Sequence, residues 1–173
     1  MAVADVLTVA EGGTATTLAG DVASVLANDT DADSSDLAAV LVDGPTNGSL
    51  TLSANGTFSY VHDGSETTSD SFTYKVSDGA LDSGVVTVAI TVTPVNDAPV
   101  VSDGVFEPTE NVLFVRDAAG GLSTLVHDAD GDELTFTLVR PARHGELVLA
   151  AEGSFSYTAD VNFNRTDDFT FTV

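Results

Sequence analysis

Aspartate spaced at every second position is the residue pattern with most chemical potential in this chain. Asp29, Asp31 and Asp33 form one such triplet, and Asp128, Asp130 and Asp132 form a second. Alternate spacing in an extended loop or strand predicts side chains aimed in one direction, bringing several carboxylate oxygens close together. Like charges at such range repel, and a cation relieves the repulsion. A hard, oxygen-liganded ion such as Ca²⁺, which accepts six to eight oxygens in flexible geometry, suits that donor set. The plainer reading is that these aspartates make turns and solvate the surface. What favours the metal is that the triplet occurs twice, beside an Asn96-Asp97 pair.

The calcium loop of an EF-hand is excluded, because Glu133 stands where that loop needs glycine. The Gly-rich nonapeptide of a calcium β-roll does not occur either. His62, His127 and His144 are scattered and read as turn or surface residues rather than transition-metal ligands. There is no Gly-x-Ser-x-Gly elbow, His-Glu-x-x-His pair or phosphate-binding Gly loop, so the chain reads as non-catalytic. Asp63 and Asp160 could be paired on paper as glycosidase carboxylates, but they occupy equivalent positions in two copies of one repeat. The sequons at Asn28, Asn47, Asn55 and Asn164 read as turn and strand composition.

That repeat organises everything else. Residues 47–60, NGSLTLSANGTFSY, match residues 144–157, HGELVLAAEGSFSY, at an offset of 97 (157 minus 60) that persists from DSFTYKV at 70–76 to DDFTFTV at 167–173. Upstream, NDTDAD at 28–33 pairs with HDADGD at 127–132 at an offset of 99 (127 minus 28), since the first copy carries the extra Ser34 and Ser35. Between the copies TPVNDAP, residues 93–99, has two prolines and predicts a short, stiff linker. The boundaries are therefore one module over 1–95 and another over 96–173.

Within each module the period is two. Leu50 and Leu52, then Phe58 and Tyr60 across Ala54-Asn55-Gly56, predict a hairpin. Phe72, Tyr74 and Val76, and Val86, Val88, Ile90 and Val92, predict two more half-buried strands. Only residues 21–27 suggest a helical turn. The expected fold is all-β: two tandem immunoglobulin-like Greek-key β-sandwich modules, the second lacking the last strand because Val173 aligns with Val76. An open edge of that kind could accept a strand from another chain. The aromatics Phe58, Tyr60, Phe155 and Tyr157 could stack on sugars, but their alternation predicts core packing.

Composition agrees. The chain has 173 residues, 43% hydrophobic, enough for packed cores, and no cysteine for disulfides or thiolate ligands. Five Lys plus Arg face 27 Asp plus Glu, a net charge of −22 that repels nucleic acid and anionic membranes and draws cations. No stretch approaches a membrane span, and no secretory signal pattern opens the chain.

The strings NDTDAD, GPTNGSL, ANGTFSY, SDSFTYKVSDG and VTPVNDAPV together resemble the bacterial cadherin-like tandem repeats, often called VCBS repeats, along nearly the whole chain. The resemblance implies an extracellular module of large secreted Gram-negative adhesins, commonly exported by type I secretion, with Ca²⁺ bound near module junctions. By position it implies that Glu11, Asp70, Asn96, Asp97, Asp128 and Asp130 hold a junction ion, with Asp132 completing the second triplet. Asp29, Asp31 and Asp33 would serve a preceding junction, and Glu110 and Asp167 a following one. Glu11-Gly-Gly and Thr109-Glu-Asn depart from the full cadherin Glu motif, and the linker is shorter than in animal cadherins. The expected partners are neighbouring modules of the same polypeptide and a glycan or cell-surface ligand. A carbohydrate-binding module and a non-catalytic accessory segment of an extracellular enzyme are the alternatives.

Overall fold

The structure is a computed structural model that describes residues 1–173. It divides into two compact units, Met1–Val95 and Asn96–Val173.

In the first unit, the alternating segments close into two packed sheets. The strands are β1 (Asp5–Ala10), β2 (Thr14–Ala15), β3 (Ala38–Asp43), β4 (Gly48–Leu52), β5 (Phe58–His62), β6 (Ser69–Ser77) and β7 (Val86–Thr93). One sheet runs β1-β7-β6-β3 and the other β2-β5-β4. β1 and β7 are parallel, Asp5 opposite Val88 and Ala10 opposite Thr93, whereas β6 and β7 are antiparallel. The predicted hairpin is β4–β5, and residues 53–57 turn it with Gly56 at φ 82°, a conformation that β-carbon sterics reserve for glycine.

The first strand changes sheets at Glu11-Gly12-Gly13. Gly12 has φ 60°, and a β-carbon on Gly13 would meet the Ala10 carbonyl oxygen at 2.8 Å, so two glycines are what lets β1 bend over to become β2. The inward positions of both sheets then share one core of fourteen buried residues, from Leu7 and Val9 through Tyr60, Phe72 and Tyr74 to Val88, Ile90 and Val92. Period-two burial puts those residues on one face of each strand. Residues 21–27 form no helix; they make a turn, Ala27 N–H donating to the Ser24 carbonyl, and Val25 fills the core.

The second unit repeats part of the pattern, with strands β8 (Val100–Val101), β9 (Phe114–Arg116), β10 (Val126–His127), β11 (Thr137–Arg140), β12 (Gly145–Leu149), β13 (Phe155–Ala159) and β14 (Thr170–Thr172). β12-β13-β9 reproduces the β4-β5-β2 sheet, and β11-β14 reproduces β3-β6. Two 3₁₀ turns, Ala118–Gly120 and Leu122–Leu125, bring Leu122 into the core. No strand among residues 96–173 takes the place of β7, in keeping with the sequence expectation. β1 pairs only with β7 in its own sheet, and its equivalent at 104–109, 99 residues on, is correspondingly in no strand. The core is accordingly small: Leu122, Phe136 and Phe155 are buried, while Phe106, Phe169, Phe171 and Val173 are only partly so.

Candidate metal centre

The loop after residue 27 is not extended, so the first triplet does not aim in one direction. Asp29 turns inward. One of its oxygens accepts from the Val3 amide (2.7 Å), and the other lies 3.0 Å from the Tyr74 hydroxyl. Asp31 and Asp33 stay at the surface. They meet a residue that sequence spacing did not nominate, Asp78, in the turn between β6 and β7. One carboxylate oxygen from each of the three lies within 4.8 Å of the others.

Two of the carboxylates in this cluster, Asp31 and Asp78, are fixed by their own turns. The Asp33 and Ser34 amides donate to Asp31 (3.2 and 3.1 Å), and the Ala80 and Leu81 amides to Asp78 (2.8 and 2.7 Å). Donation from the Asp33 amide, and then from the Asp33 side chain and Ser34, holds the Asp31 carboxyl below its ordinary range. The neighbouring Asp31 carboxylate, by hydrogen bond and by charge, pushes Asp33 up. A proton shared between these two groups does at low pH what a cation would do at neutral pH. All donors are hard oxygens on an exposed surface, a set that suits Ca²⁺ and no soft metal.

Asp70 has a different role from the one its position implied. Its Oδ1 accepts from the Thr46 and Ser71 amides (3.0 and 2.8 Å), and its Oδ2 from the Asn47 amide and the Tyr60 hydroxyl (both 2.9 Å). Four donors fill the four lone-pair sites of a carboxylate, so Asp70 latches the loop before β4 onto β6 instead of offering a free ligand. Burial works against the charge, but these four bonds outweigh it and hold the carboxyl low. Burial and the Asp70 carboxylate push the Tyr60 hydroxyl up.

The latch recurs in the second unit. Asp167 accepts from the Arg143, His144 and Asp168 amides and from Tyr157 (3.1 Å), and the Tyr157 hydroxyl is pushed up to about 12 by burial and by Asp167. The tyrosine ring of each latch lies over a glycine of the adjacent strand. A β-carbon on Gly48 or Gly145 would come within 2.9 Å of the ring of Tyr60 or Tyr157, which explains why GPTNGSL and its copy carry glycine there. The signal in the sequence was the ten-residue spacing from tyrosine to aspartate, present in both copies.

A second buried arrangement surrounds Tyr74. Its hydroxyl lies 3.0 Å from both Asp5 and Asp29 and 2.9 Å from the Val25 carbonyl oxygen. A hydroxyl has one proton to donate, so it cannot serve both carboxylates at once. Burial raises the Asp5 carboxyl, bonds from Tyr74 and Asn28 pull against that, and the Asp29 charge adds to the rise.

Glu11, at the end of β1, accepts from the Val95 amide (3.3 Å) and has an oxygen within 4.8 Å of one on Glu66, which the sequence reading did not single out. In the second unit Asp130 accepts from the Asp97 amide (2.7 Å), Asp128 from the Asp132 amide (3.0 Å), and the Asn96 amide group donates to the Asp97 carbonyl. These bonds tie Asn96, Asp97 and the second triplet into one loop cluster.

His62 is buried, not a surface residue as its isolation in the sequence suggested. Its Nδ1 accepts from the Gly12 and Gly64 amides (3.2 and 3.3 Å), which leaves Nε2 to donate to Thr67 (2.9 Å). Phe58, Tyr60 and Phe155 are buried as alternation predicted.

The whole chain matches one family, described as the bacterial cadherin-like domain, twice in succession over residues 1–94 and 96–173. The chain belongs to that family. Among curated proteins this cadherin-like chain is 33% identical over 123 residues to the extracellular matrix organizing protein FRAS1 of Mus musculus, an alignment covering 61% of the chain and 3% of that protein. Among solved structures it is similar to protocadherin gamma B2 extracellular cadherin domains 1–5, with a TM-score of 0.50 at 11% identity over 97% of the chain and 37% of that structure. A structure of domains 3–6 of the same protocadherin aligns at a TM-score of 0.48, 13% identity, over 97% of the chain and 45% of its own length. The first of these likenesses shows the cadherin-type sandwich fold. No helix of the protein is long and apolar enough to cross a membrane.

Proposed function

We propose that the chain is a calcium-binding structural or adhesive segment of a bacterial extracellular adhesin, in which Ca²⁺ rigidifies the junction between modules. The observation that carries this reading is the convergence of Asp31, Asp33 and Asp78, two exposed carboxylates and one half-buried, with oxygens within 4.8 Å of one another. Two successive cadherin-like domains and a similarity to an extracellular matrix organizing protein support an extracellular, adhesion-type setting. A charge of −22 supports cations as ligands. Without an ion the carboxylates of a junction repel and neighbouring modules pivot; with one, both sides are held by the same cation. The segment has no catalytic role in this reading, and its partners are adjoining modules of the same polypeptide and a glycan or other cell-surface ligand.

A carbohydrate-binding module is less well supported, because Phe58, Tyr60 and Phe155 are packed inside and unavailable to a sugar face.

Thermal unfolding in about 5 mM Ca²⁺ and in EGTA, at matched ionic strength with Mg²⁺ as control, tests the proposal in the affinity range typical of extracellular sites. A rise in midpoint of about 4 °C or more with Ca²⁺ alone is expected. Asp31→Asn combined with Asp78→Asn should remove the part of that rise belonging to the first unit. Equal midpoints in all three buffers would reduce the aspartates to solvated turns. For the junction, small-angle scattering should report a narrower range of extensions in Ca²⁺ than in EGTA, a difference that Asp97→Ala should abolish.

A further inference from the structure

Cations are scarce in this chain, and most of them are engaged. Lys75 bridges Asp82, Arg140 bridges Asp168, and Arg116 lies over the Phe114 ring, 4.4 Å from its centroid. Arg143 and Arg165 form no ion pair, although 27 acidic residues share the chain with them. Both are exposed, and both belong to one corner of the second unit, made by the loop before β12 and the loop between β13 and β14. A ring stack joins those loops: the centroids of His144 and Phe163 are 4.4 Å apart with the planes 14° from parallel, and the Asp160 amide donates to the His144 carbonyl. His144 is exposed, so the stack offers a flat ring face to solvent. Two carboxylates nearby are already occupied. Asp167 is saturated by its four donors, and Asp168 is held low by the Arg140 hydrogen bond, with the charges of Arg140 and Arg143 adding to it.

The first unit has none of this. At the offset of 97, Arg143, His144, Phe163 and Arg165 stand where the first unit has Thr46, Asn47, Glu66 and Thr68. The exchange adds two cations, removes an acid and builds the stack. Thr46, Glu66 and Thr68 are exposed with β7 in place beside them, so an open corner here is a property of the sandwich itself.

A flat ring plate held between two loops that each carry a free guanidinium fits a ligand with an apolar ring face and a carboxylate on the ring's edge. A uronic acid residue has both: its C–H face covers the plate, and its carboxylate takes paired N–H donors from a guanidinium. Aspartates of an acidic protein would use the guanidiniums and leave the plate uncovered. We propose that this corner of the second unit binds an acidic, uronate-containing glycan, with Arg143 and Arg165 holding carboxylates and the His144–Phe163 stack seating a sugar ring. Site and ligand rest on the glycan partner of the reading above and on no part of its calcium chemistry. The chain's net charge of −22 opposes a polyanion at long range. At physiological salt the Debye length is about 8 Å, so close to the surface the corner's own groups govern.

The test is calorimetric titration of the 173-residue chain with an oligogalacturonate, in EGTA at about 0.15 M salt, beside the neutral galactose oligomer of the same length and an aspartate-rich peptide. Saturable binding of the oligogalacturonate is expected, far tighter than that of either control, with NMR shifts at residues 143–145 and 161–166. Arg143→Gln combined with Arg165→Gln should weaken it at least about tenfold, and Phe163→Ala about fivefold. Arg116→Gln, which removes a cation from β9 instead, should leave the affinity unchanged. Absence of saturable binding overturns the proposal, and so does binding that the double variant does not weaken or that Arg116→Gln weakens as much. Equal binding of the neutral oligomer would leave the arginines without a role and overturn it too. An aspartate-rich peptide that binds as tightly as the uronate would make an acidic protein the partner, again overturning it. Because calcium is absent throughout, this outcome and that of the Ca²⁺ melting test are independent of each other.

Discussion

At the scale of single residues, aspartate does three jobs here, and the surrounding donors decide which. Asp31, Asp33 and the half-buried Asp78 meet at the surface; Asp70 and Asp167 are saturated by amide and tyrosine donors; Asp5 and Asp29 are buried against one hydroxyl. The sign of each shift fixes its effect on acid stability. The depressed carboxyls of Asp70 and Asp167 contribute stability that is complete above the ordinary aspartate value of about 3.9 and is lost as pH falls through their lower folded values. Asp5, raised, works oppositely: its charge costs stability as pH rises through the interval above about 3.9, and acidification relieves that cost. Asp70→Asn should therefore lower stability near neutral pH by about 2 kcal/mol and flatten the loss below about pH 4, as read from urea midpoints across that range. Side-chain direction was the part illegible in the sequence. Asp29 looked like a sibling of Asp31 and Asp33, but a looped backbone does not alternate, and the Val3 amide and Tyr74 hydroxyl drew it inward. Asp78 could not be found by spacing at all, since only the return of β6 brings it to Asp31.

At the scale of elements, the strands were legible because each buries one face. The alternation at 50–60 specified the β4–β5 hairpin, and Val86, Val88, Ile90 and Val92 specified β7. What the alternation left open was pairing: nothing in the local pattern of 5–10 states that β1 runs parallel to β7, a contact between segments some eighty residues apart in sequence. The dependence of β1 on β7 shows in the second copy, where the equivalent of β1 has no partner and forms no strand. Ile90→Ala, at a fully buried position of β7, should destabilise the first unit by about 2–4 kcal/mol in urea unfolding. Phe171→Ala, at a half-buried position, should cost well under the roughly 3–5 kcal/mol of a buried phenylalanine. Equal costs at the two sites would contradict the inequality of the two cores.

At the scale of the whole molecule, the repeat and the charge were the features the sequence made plainest, and the cadherin-like family matches each copy of the repeat in turn. Over these 173 residues the two copies do not have equal cores. The first unit has fourteen buried apolar residues in its core and the second has three. Calorimetry of these 173 residues should accordingly resolve two transitions, the second unit melting first. A single transition would mean that the units do not melt independently.

The parallel pairing of β1 and β7 has a further consequence, for a chain under tension. β1 begins near one pole of the first unit and β7 ends near the other, and the six residue pairs from Asp5–Val88 to Ala10–Thr93 lie side by side between them. A pull applied at the two ends of the unit runs along those strands, so the bonds of the ladder are loaded in shear and must yield together instead of unzipping one after another. Resistance to such a load is set by the rate of forced unfolding and not by equilibrium stability. The shape of a single strand pair thus makes the first unit a link that holds until it fails all at once.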